Sequence, residues 1–157
     1  MSVLFKNIYQ QKKVLVTGNT GFKGSWLSAW LIVLGAEVYG ISVDIPTNPS
    51  HFEMAELGEK MNHFQLDICN LEQTRKVIHE IQPEFVFHLA AQSLVSLSYE
   101  KPIKTFNSNV IGSANILDSL WHANYPCNIV MITSDKCYDN MEWKWGYRET
   151  DALGGKD

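Results

Sequence analysis

The chain has 157 residues, of which 45% are hydrophobic and 19% are charged, and its formal net charge is −4. This composition is typical of one compact globular domain and excludes a disordered or fibrous chain. The basic residues form no stripe, no apolar run reaches the ~20 residues of a membrane span, and the start has no signal-peptide core. We therefore expect no nucleic-acid partner, no membrane association and a cytoplasmic protein. The scattered cysteines and histidines predict reduced thiols and no metal site.

Strand-like and helix-like segments alternate along the chain. Short apolar or β-branched runs predict five strands, at 13–17, 37–43, 63–66, 84–89 and 127–133. Apolar residues at helical spacing, Phe22, Trp26 and Trp30 among them, predict helices at 22–34, at 71–81 and from about Ile103 to Trp121. Residues 46–62 are undecided, with a short helix near 52–61 as one interpretation. The alternation predicts an α/β fold with a doubly wound parallel sheet.

A glycine-rich segment lies between the first predicted strand and the first predicted helix. Residues 17–24 read TGNTGFKG, with glycines spaced GxxGxxG. Gly18 permits a tight turn, Gly21 lets the backbone approach a pyrophosphate, and Gly24 allows the helix to pack closely on the strand. The strand before the segment and the helix after it favour dinucleotide binding over a tight turn without a ligand. The same loop contributes three more candidate cofactor-binding residues: Thr20, Phe22 and Lys23.

Two acidic positions follow the next two strands. Asp44 ends the second strand, where a carboxylate can accept hydrogen bonds from the adenosine ribose and repel a 2′-phosphate, which favours NAD over NADP. Asp67 and Ile68 follow the third strand and could meet the adenine ring. The alternatives are a solvated turn aspartate before Pro46 for Asp44, and an aspartate near a helix N-terminus for Asp67.

Three segments resemble the extended short-chain dehydrogenases/reductases. TGNTGFKG is similar to the TGxxGFxG fingerprint of that family, HLAAQ at 88–92 to its HLAA segment, and TFNSNVIG at 105–112 to its TNVxGT helix, whose asparagine matches Asn109. The resemblance implies a Rossmann-type domain with NAD as cofactor over residues 13–138, after a leader at 1–12. It also implies cofactor contacts from five further residues: Leu89, Ala90, Ala91, Gln92 and Ser108.

The segment after the fifth strand narrows the resemblance. TSDKCY at 133–138 and EWKWGYRE at 142–149 resemble the CDP-glucose 4,6-dehydratases within that family. This implies CDP-D-glucose as substrate, with hydride removal from C4, loss of water across C5 and C6, and hydride return to C6. It implies Asp135 as the acid at the C6 hydroxyl, Lys136 as the base at C5, and Ser134 as the hydroxyl that bonds the C4 oxygen. By their chemistry alone, Asp135 and Lys136 could also form a solvated turn.

The family's Tyr-x-x-x-Lys pair has no counterpart in a suitable place of this chain. We therefore expect an N-terminal fragment that ends before the later strands and the substrate domain, with 139–157 as a loop leading toward the pair. The resemblance implies a homodimer for the full-length protein, and we expect the 157 residues alone to be inactive. The alternatives are a non-catalytic NAD-binding module or a related nucleotide-sugar epimerase or dehydratase. Lys136 and the Trp-rich run argue against the related enzymes.

Overall fold

The computed structural model describes residues 4–154, apart from the side chain of Asp135. Its five strands form one parallel sheet in the order β3–β2–β1–β4–β5. The strands are β1 (Lys13–Thr17), β2 (Glu37–Ser42), β3 (Asn62–Gln65), β4 (Phe85–His88) and β5 (Asn128–Met131). The chain moves outward from β1 in one direction and then from β4 in the other, so a crevice opens at the carboxyl ends of β1 and β4. The predicted doubly wound α/β sheet is confirmed.

Helices cover both faces of the sheet. They are α1 (Phe22–Val33), α2 (His51–Met54), α3 (Leu57–Lys60), α4 (Leu71–Ile81), α5 (Val95–Glu100), α6 (Pro102–Phe106) and α7 (Gly112–His122). Where the sequence suggested one short helix at 52–61, the structure has α2 and α3. A π-helical turn, Asn107–Ile111, joins α6 to α7, so the long helix predicted from about Ile103 exists with an irregular turn in its middle.

Two apolar clusters sandwich the sheet. One contains Leu15 and Ile41 with residues of α4 and α7, and the other contains Val14 and Val16 with residues of α1 to α3. Successive strand residues point to opposite faces, so neighbouring residues of β1 enter different clusters. Because β1 is buried on both faces, its sequence is a continuous apolar run without polar alternation.

Helix α1 turns its small residues toward the core and its aromatic residues outward. Gly24, Ser25 and Ser28 are buried, whereas Trp26 and Trp30 are 55% and 50% exposed. The helix was predicted correctly, but its spacing of aromatic residues does not mark the buried side. Small side chains on the inner side let the helix approach the sheet closely, which leaves the large rings outside.

The outer edge of the sheet at β5 is also apolar and open. Ile129 and Val130 are exposed on this strand, and Trp121 at the end of α7 is 84% exposed. Together with Leu117 and Tyr125, Trp121 and Ile129 line an open groove between α7 and β5. No helix formed by residues 4–154 has both the length and the apolar character needed to cross a membrane.

The difference in burial between two branched apolar residues should separate the effects of replacing them by alanine. Ile78→Ala removes a fully buried side chain that packs between α4 and the sheet, so we expect the free energy of unfolding to fall by about 2–5 kcal/mol. Val33→Ala, the matched control, removes an 82% exposed side chain at the end of α1 and should change it by less than about 0.5 kcal/mol. Urea unfolding followed by circular dichroism measures both. Equal losses would contradict the assignment of the core.

Candidate functional site

The loop from β1 to α1 is held in shape by close backbone contacts. Gly18 has a φ of +72°, and its N–H donates to the carbonyl of Ile41 at 2.7 Å. A Cβ on Gly24 would lie 2.0 Å from the carbonyl oxygen of Gly18, and a Cβ on Gly18 would lie 2.9 Å from the nitrogen of Ala90. Only glycine fits at these two positions, so the loop, α1 and the turn after β4 touch backbone to backbone.

The N-terminus of α1 has no capping side chain. Its N-cap residue is Gly21, whereas at α4 the side chain of Asn70 accepts a hydrogen bond from the N–H of Gln73 at 3.1 Å. The first-turn N–H groups of a helix have no partner within the helix, and they carry its positive dipole end. This end of α1 can therefore bind an anionic group. Phe22 and Lys23, two of the predicted site residues, are exposed here.

Buried polar contacts clamp the same loop onto β2 and β3. The amide nitrogen of Asn19, a fully buried residue, lies 3.2 Å from Nδ1 of His63. Gly40 on β2 makes room, because a Cβ there would lie 2.3 Å from Cγ of Asn19. The hydroxyl of Thr20 donates to the backbone carbonyl of Asp44 at 2.6 Å. Sequence reasoning missed Asn19, Gly40 and His63, and a lone glycine inside a predicted strand was the available signal.

The predicted adenosine-binding residues lie at the carboxyl ends of β2 and β3. Asp44 is exposed just beyond β2. Asp67 is also exposed, and its Oδ1 accepts a hydrogen bond from the N–H of Cys69 at 2.9 Å. Ile68 is buried, and a Cβ on Gly112 of α7 would lie 2.6 Å from its Cδ1. The two carboxylates therefore face solvent, while the side chain of Ile68 belongs to the core.

Thr17 and His88 meet where β1 and β4 end. Oγ1 of Thr17 accepts hydrogen bonds from the N–H groups of Leu89 at 3.2 Å and Ala90 at 3.1 Å, so its own hydrogen points to Nδ1 of His88, 2.7 Å away. His88 is thus the neutral tautomer that carries its hydrogen on Nε2. Burial lowers its pKa to about 4, since a charged imidazole would be desolvated here.

The segment after β4 is anchored to the π-helical turn. The side chain of Asn109 accepts from the N–H of Gln92 at 2.7 Å and donates to the carbonyl of Gln92 at 2.9 Å. Ser108, a predicted cofactor contact, is half-buried beside it in the same turn. π-Helical turns inside α-helices occur frequently at functional sites. The turn places Asn109 and Ser108 next to the predicted contact segment 89–92.

The three residues predicted to be catalytic follow β5 at the same edge of the sheet. Residues Asp135–Cys137 form a 3-10 turn, and Oγ of Ser134 accepts a hydrogen bond from the N–H of Lys136 at 3.2 Å. Ser134 and Lys136 are exposed, and the side chain of Asp135 lies outside the described part of the chain. Parallel strands end at one edge, so these residues share the edge that carries the glycine loop.

Aromatic side chains cluster in the segment that follows this turn. The rings of Tyr138 and Tyr147 stack with centroids 5.2 Å apart, and Trp143 lies 5.5 Å from Tyr147. Trp145 is 66% exposed. Residues 139–154 contain neither helix nor extended strand, only a single bridge between Tyr138 and Leu153. The last three residues of the predicted loop lie outside the described residues. Residues 4–154 bring no group of three metal-ligating side chains together.

Comparisons with known proteins identify the family. The family model described as GDP-mannose 4,6 dehydratase matches residues 15–155. The chain belongs to this family. It is 52% identical over 152 residues, 97% of its length, to CDP-glucose 4,6-dehydratase of Salmonella typhimurium, and 30% identical over 143 residues, 89% of its length, to CDP-paratose 2-epimerase of Salmonella typhi. These matches confirm the resemblance drawn from the sequence motifs.

A solved structure shows the same architecture. The UDP-glucose 4-epimerase of Thermus thermophilus, in complex with NAD, superposes with a TM-score of 0.78 at 26% identity over 92% of this chain and 45% of its own. The chain covers 42% of the Salmonella typhimurium relative and 41% of the Salmonella typhi relative. It therefore spans about two fifths of the length of the curated relatives that it matches.

His88 should make the stability of the fold depend on pH. Its pKa is 6.5 in the unfolded chain and about 4 in the folded one, so between these values the unfolded state binds the additional proton. The stability that neutral His88 contributes is thus complete above pH 6.5, and it is lost as the pH falls toward 4, by up to about 3 kcal/mol.

Urea unfolding at pH 7 and at pH 5 measures this effect, with His88→Asn as the reference variant. His63, whose pKa is also lowered by burial, is present in both proteins and cancels in the comparison. The loss of stability between pH 7 and pH 5 should be smaller in His88→Asn. The same loss in both proteins would show that His88 is not held neutral in the folded state.

Proposed function

We propose that this chain is the NAD-binding part of a CDP-glucose 4,6-dehydratase, which converts CDP-D-glucose to CDP-4-dehydro-6-deoxy-D-glucose. One observation carries the proposal: a loop with no room for a Cβ at Gly18 or Gly24 and the Ser134–Lys136 segment lie at the same edge of the sheet. The 52% identity to the Salmonella typhimurium enzyme over 97% of this chain supports the choice of substrate.

The residues of the crevice fit a bound dinucleotide. The backbone around Gly18 and Gly21 and the uncapped start of α1 suit the pyrophosphate. The exposed carboxylate of Asp44 can accept hydrogen bonds from the ribose hydroxyls, and the exposed Asp67, just after β3, can meet the adenine ring. The NAD-bound epimerase of similar fold supports this assignment. Bound NAD⁺ would accept hydride from C4 of the sugar and return it to C6.

The other end of the crevice suits the nicotinamide half. Residues 89–92 directly follow β4, and Ser108 precedes Asn109, which hydrogen-bonds to Gln92. Ala90 and Ala91 have small side chains, and the backbone there is already held by Thr17 and Asn109. A ligand can therefore approach this backbone closely without displacing a side chain.

The Ser134–Lys136 segment supplies groups for the elimination. A ketone at C4 makes the C5 proton acidic, so a base must remove it while an acid protonates the departing C6 hydroxyl. We assign these roles to Lys136 and Asp135, and we assign the hydroxyl of Ser134 to the C4 oxygen. A lysine acts as a base when desolvation or a nearby positive charge lowers its pKa, and a substrate that covers the segment would desolvate Lys136.

The surface of α6 and α7 supports a homodimer for the whole protein. Ile103, Phe106, Val110 and Trp121 are all exposed on this helical unit, at 73%, 57%, 47% and 84%. Exposed apolar patches of this kind mark protein–protein contacts. We further propose that the enzyme works in the cytoplasm, and that it serves the synthesis of surface polysaccharide, which the resemblance to the family implies.

The close contact between Gly24 and the carbonyl oxygen of Gly18 leads to a specific prediction for NAD⁺ binding. In Gly24→Ala the new Cβ would collide with the carbonyl oxygen of Gly18, which forces the loop and α1 apart. We expect the dissociation constant for NAD⁺, measured by isothermal titration calorimetry, to rise by more than about tenfold. Gly146→Ala is the matched control, since nothing lies within 4 Å of its added Cβ. Unchanged affinity in Gly24→Ala would overturn the assignment of the phosphate site.

The catalytic assignment is tested in the full-length protein. Its turnover of CDP-glucose is followed by the absorbance of the 4-keto-6-deoxy sugar in alkali. We expect Asp135→Asn and Lys136→Ala each to lower kcat by about 100-fold or more, since each removes one proton-transfer group. Lys144→Ala, an exposed lysine in the same loop region, should retain activity. Turnover of dTDP-glucose or UDP-glucose but not of CDP-glucose would refute the proposed substrate.

A further inference from the structure

The hydrogen bonds of His88 continue beyond Thr17 to helix α7. Nε2 of His88 lies 2.9 Å from Oγ of Ser113, in the first turn of α7. Oγ of Ser113 also lies 2.8 Å from the backbone carbonyl of Asn109, which can only accept. The serine hydroxyl therefore donates to Asn109 and accepts from Nε2–H of His88. This agrees with the tautomer that the contact with Thr17 requires.

These contacts form a continuous polar chain around the segment at 89–92. The segment begins at the two N–H groups bound by Thr17, and it ends at Gln92, whose backbone is bound on both sides by Asn109. His88 and Ser113 connect the two anchors. Thr17 and His88 are 0% and 2% exposed, so water cannot readily substitute for the hydrogen bond between them.

We propose that His88 is a positioning residue of the cofactor crevice: its two ring nitrogens set the spacing between β1 and the π-helical turn, and thereby hold residues 89–92 in the shape that receives the nicotinamide half of NAD. The inference rests on the proposed function, because it assumes that NAD binds here. His88 itself need not touch the cofactor. It acts through the backbone of Leu89 and Ala90 and through Asn109.

The side chain at position 88 must provide a hydrogen-bond acceptor toward Thr17 and a hydrogen-bond donor toward Ser113. Nδ1 accepts from Thr17 while Nε2–H donates to Ser113, and a neutral imidazole provides both in one rigid ring. Leucine fills a similar volume but leaves the buried hydroxyl of Thr17 and the half-buried hydroxyl of Ser113 without these partners. Asparagine can present an acceptor near the position of Nδ1, and glutamine can present a donor near the position of Nε2. Each amide should therefore restore one contact.

The test is NAD⁺ affinity in the full-length protein, measured by isothermal titration calorimetry at pH 7.5 beside the thermal melting midpoint. We expect His88→Leu to raise the NAD⁺ dissociation constant by about tenfold and Ser113→Ala by about threefold, with His88→Gln and His88→Asn in between wild type and His88→Leu. The double variant His88→Leu/Ser113→Ala should bind no more weakly than His88→Leu, because both substitutions break one chain of contacts. At saturating NAD⁺, kcat should change much less than the affinity.

Ile81→Ala is the control for a general loss of stability. Ile81 is 3% exposed, and its carbonyl accepts a hydrogen bond from Lys13 at the start of β1, so it lies at the opposite edge of the sheet. Ile81→Ala should lower the melting midpoint without changing the NAD⁺ dissociation constant.

Three outcomes separate the possibilities. Lowered melting midpoints with NAD⁺ affinity within twofold of wild type in His88→Leu, His88→Gln and Ser113→Ala would overturn the inference and leave His88 a core residue. If His88→Leu does not fold, unchanged affinity in Ser113→Ala and His88→Gln overturns it as well. Absence of NAD⁺ binding in the wild-type protein would instead refute the proposed function.

Discussion

The carbonyl oxygen of Gly18 lies so close to Gly24 that a single methyl group at position 24 would stand 2.0 Å from it. This contact draws the start of α1 onto the end of β1, and it aims the first-turn N–H groups of the helix into the crevice. The crevice exists because the chain winds outward from β1 and then from β4. The sheet order and the glycine contact together decide where a dinucleotide can bind.

Buried polar side chains keep that geometry in place. Asn19 fills the space above Gly40, and Thr20 holds the backbone of Asp44. Thr17 binds both N–H groups after β4. These contacts are buried, so each lost hydrogen bond would leave a polar group without a partner, at a cost of about 1–3 kcal/mol. The loop is consequently shaped before any ligand arrives, which reduces the entropy lost on binding.

The sequence predicts the sheet and the tight glycine turn after β1 well, because both have local signals. The run from Val14 to Val16 is apolar throughout, and the glycine spacing stands between a strand and a helix. Other features arise only from packing in three dimensions. The contact of Asn19 with His63 joins positions far apart in the chain, and the outward position of Trp26 depends on small residues facing the sheet. Helix α5 is too short for its periodicity to be visible.

The catalytic roles proposed after β5 have the weakest support from local sequence. Ser134, Asp135 and Lys136 are also residue types that are common in an ordinary turn after a strand. Their proposed roles come from likeness to the dehydratases and from their position at the shared edge of the sheet. A dehydratase and an epimerase on this fold differ in where hydride returns, so the destination of the C4 hydrogen distinguishes them.

The most direct test of the account is the conversion of CDP-glucose labelled with deuterium at C4 by the full-length protein, with the product analysed by NMR. The account predicts a CDP-4-keto-6-deoxy sugar that carries the deuterium at C6. Deuterium retained at C4 of an epimerised sugar, or released into water, would contradict it.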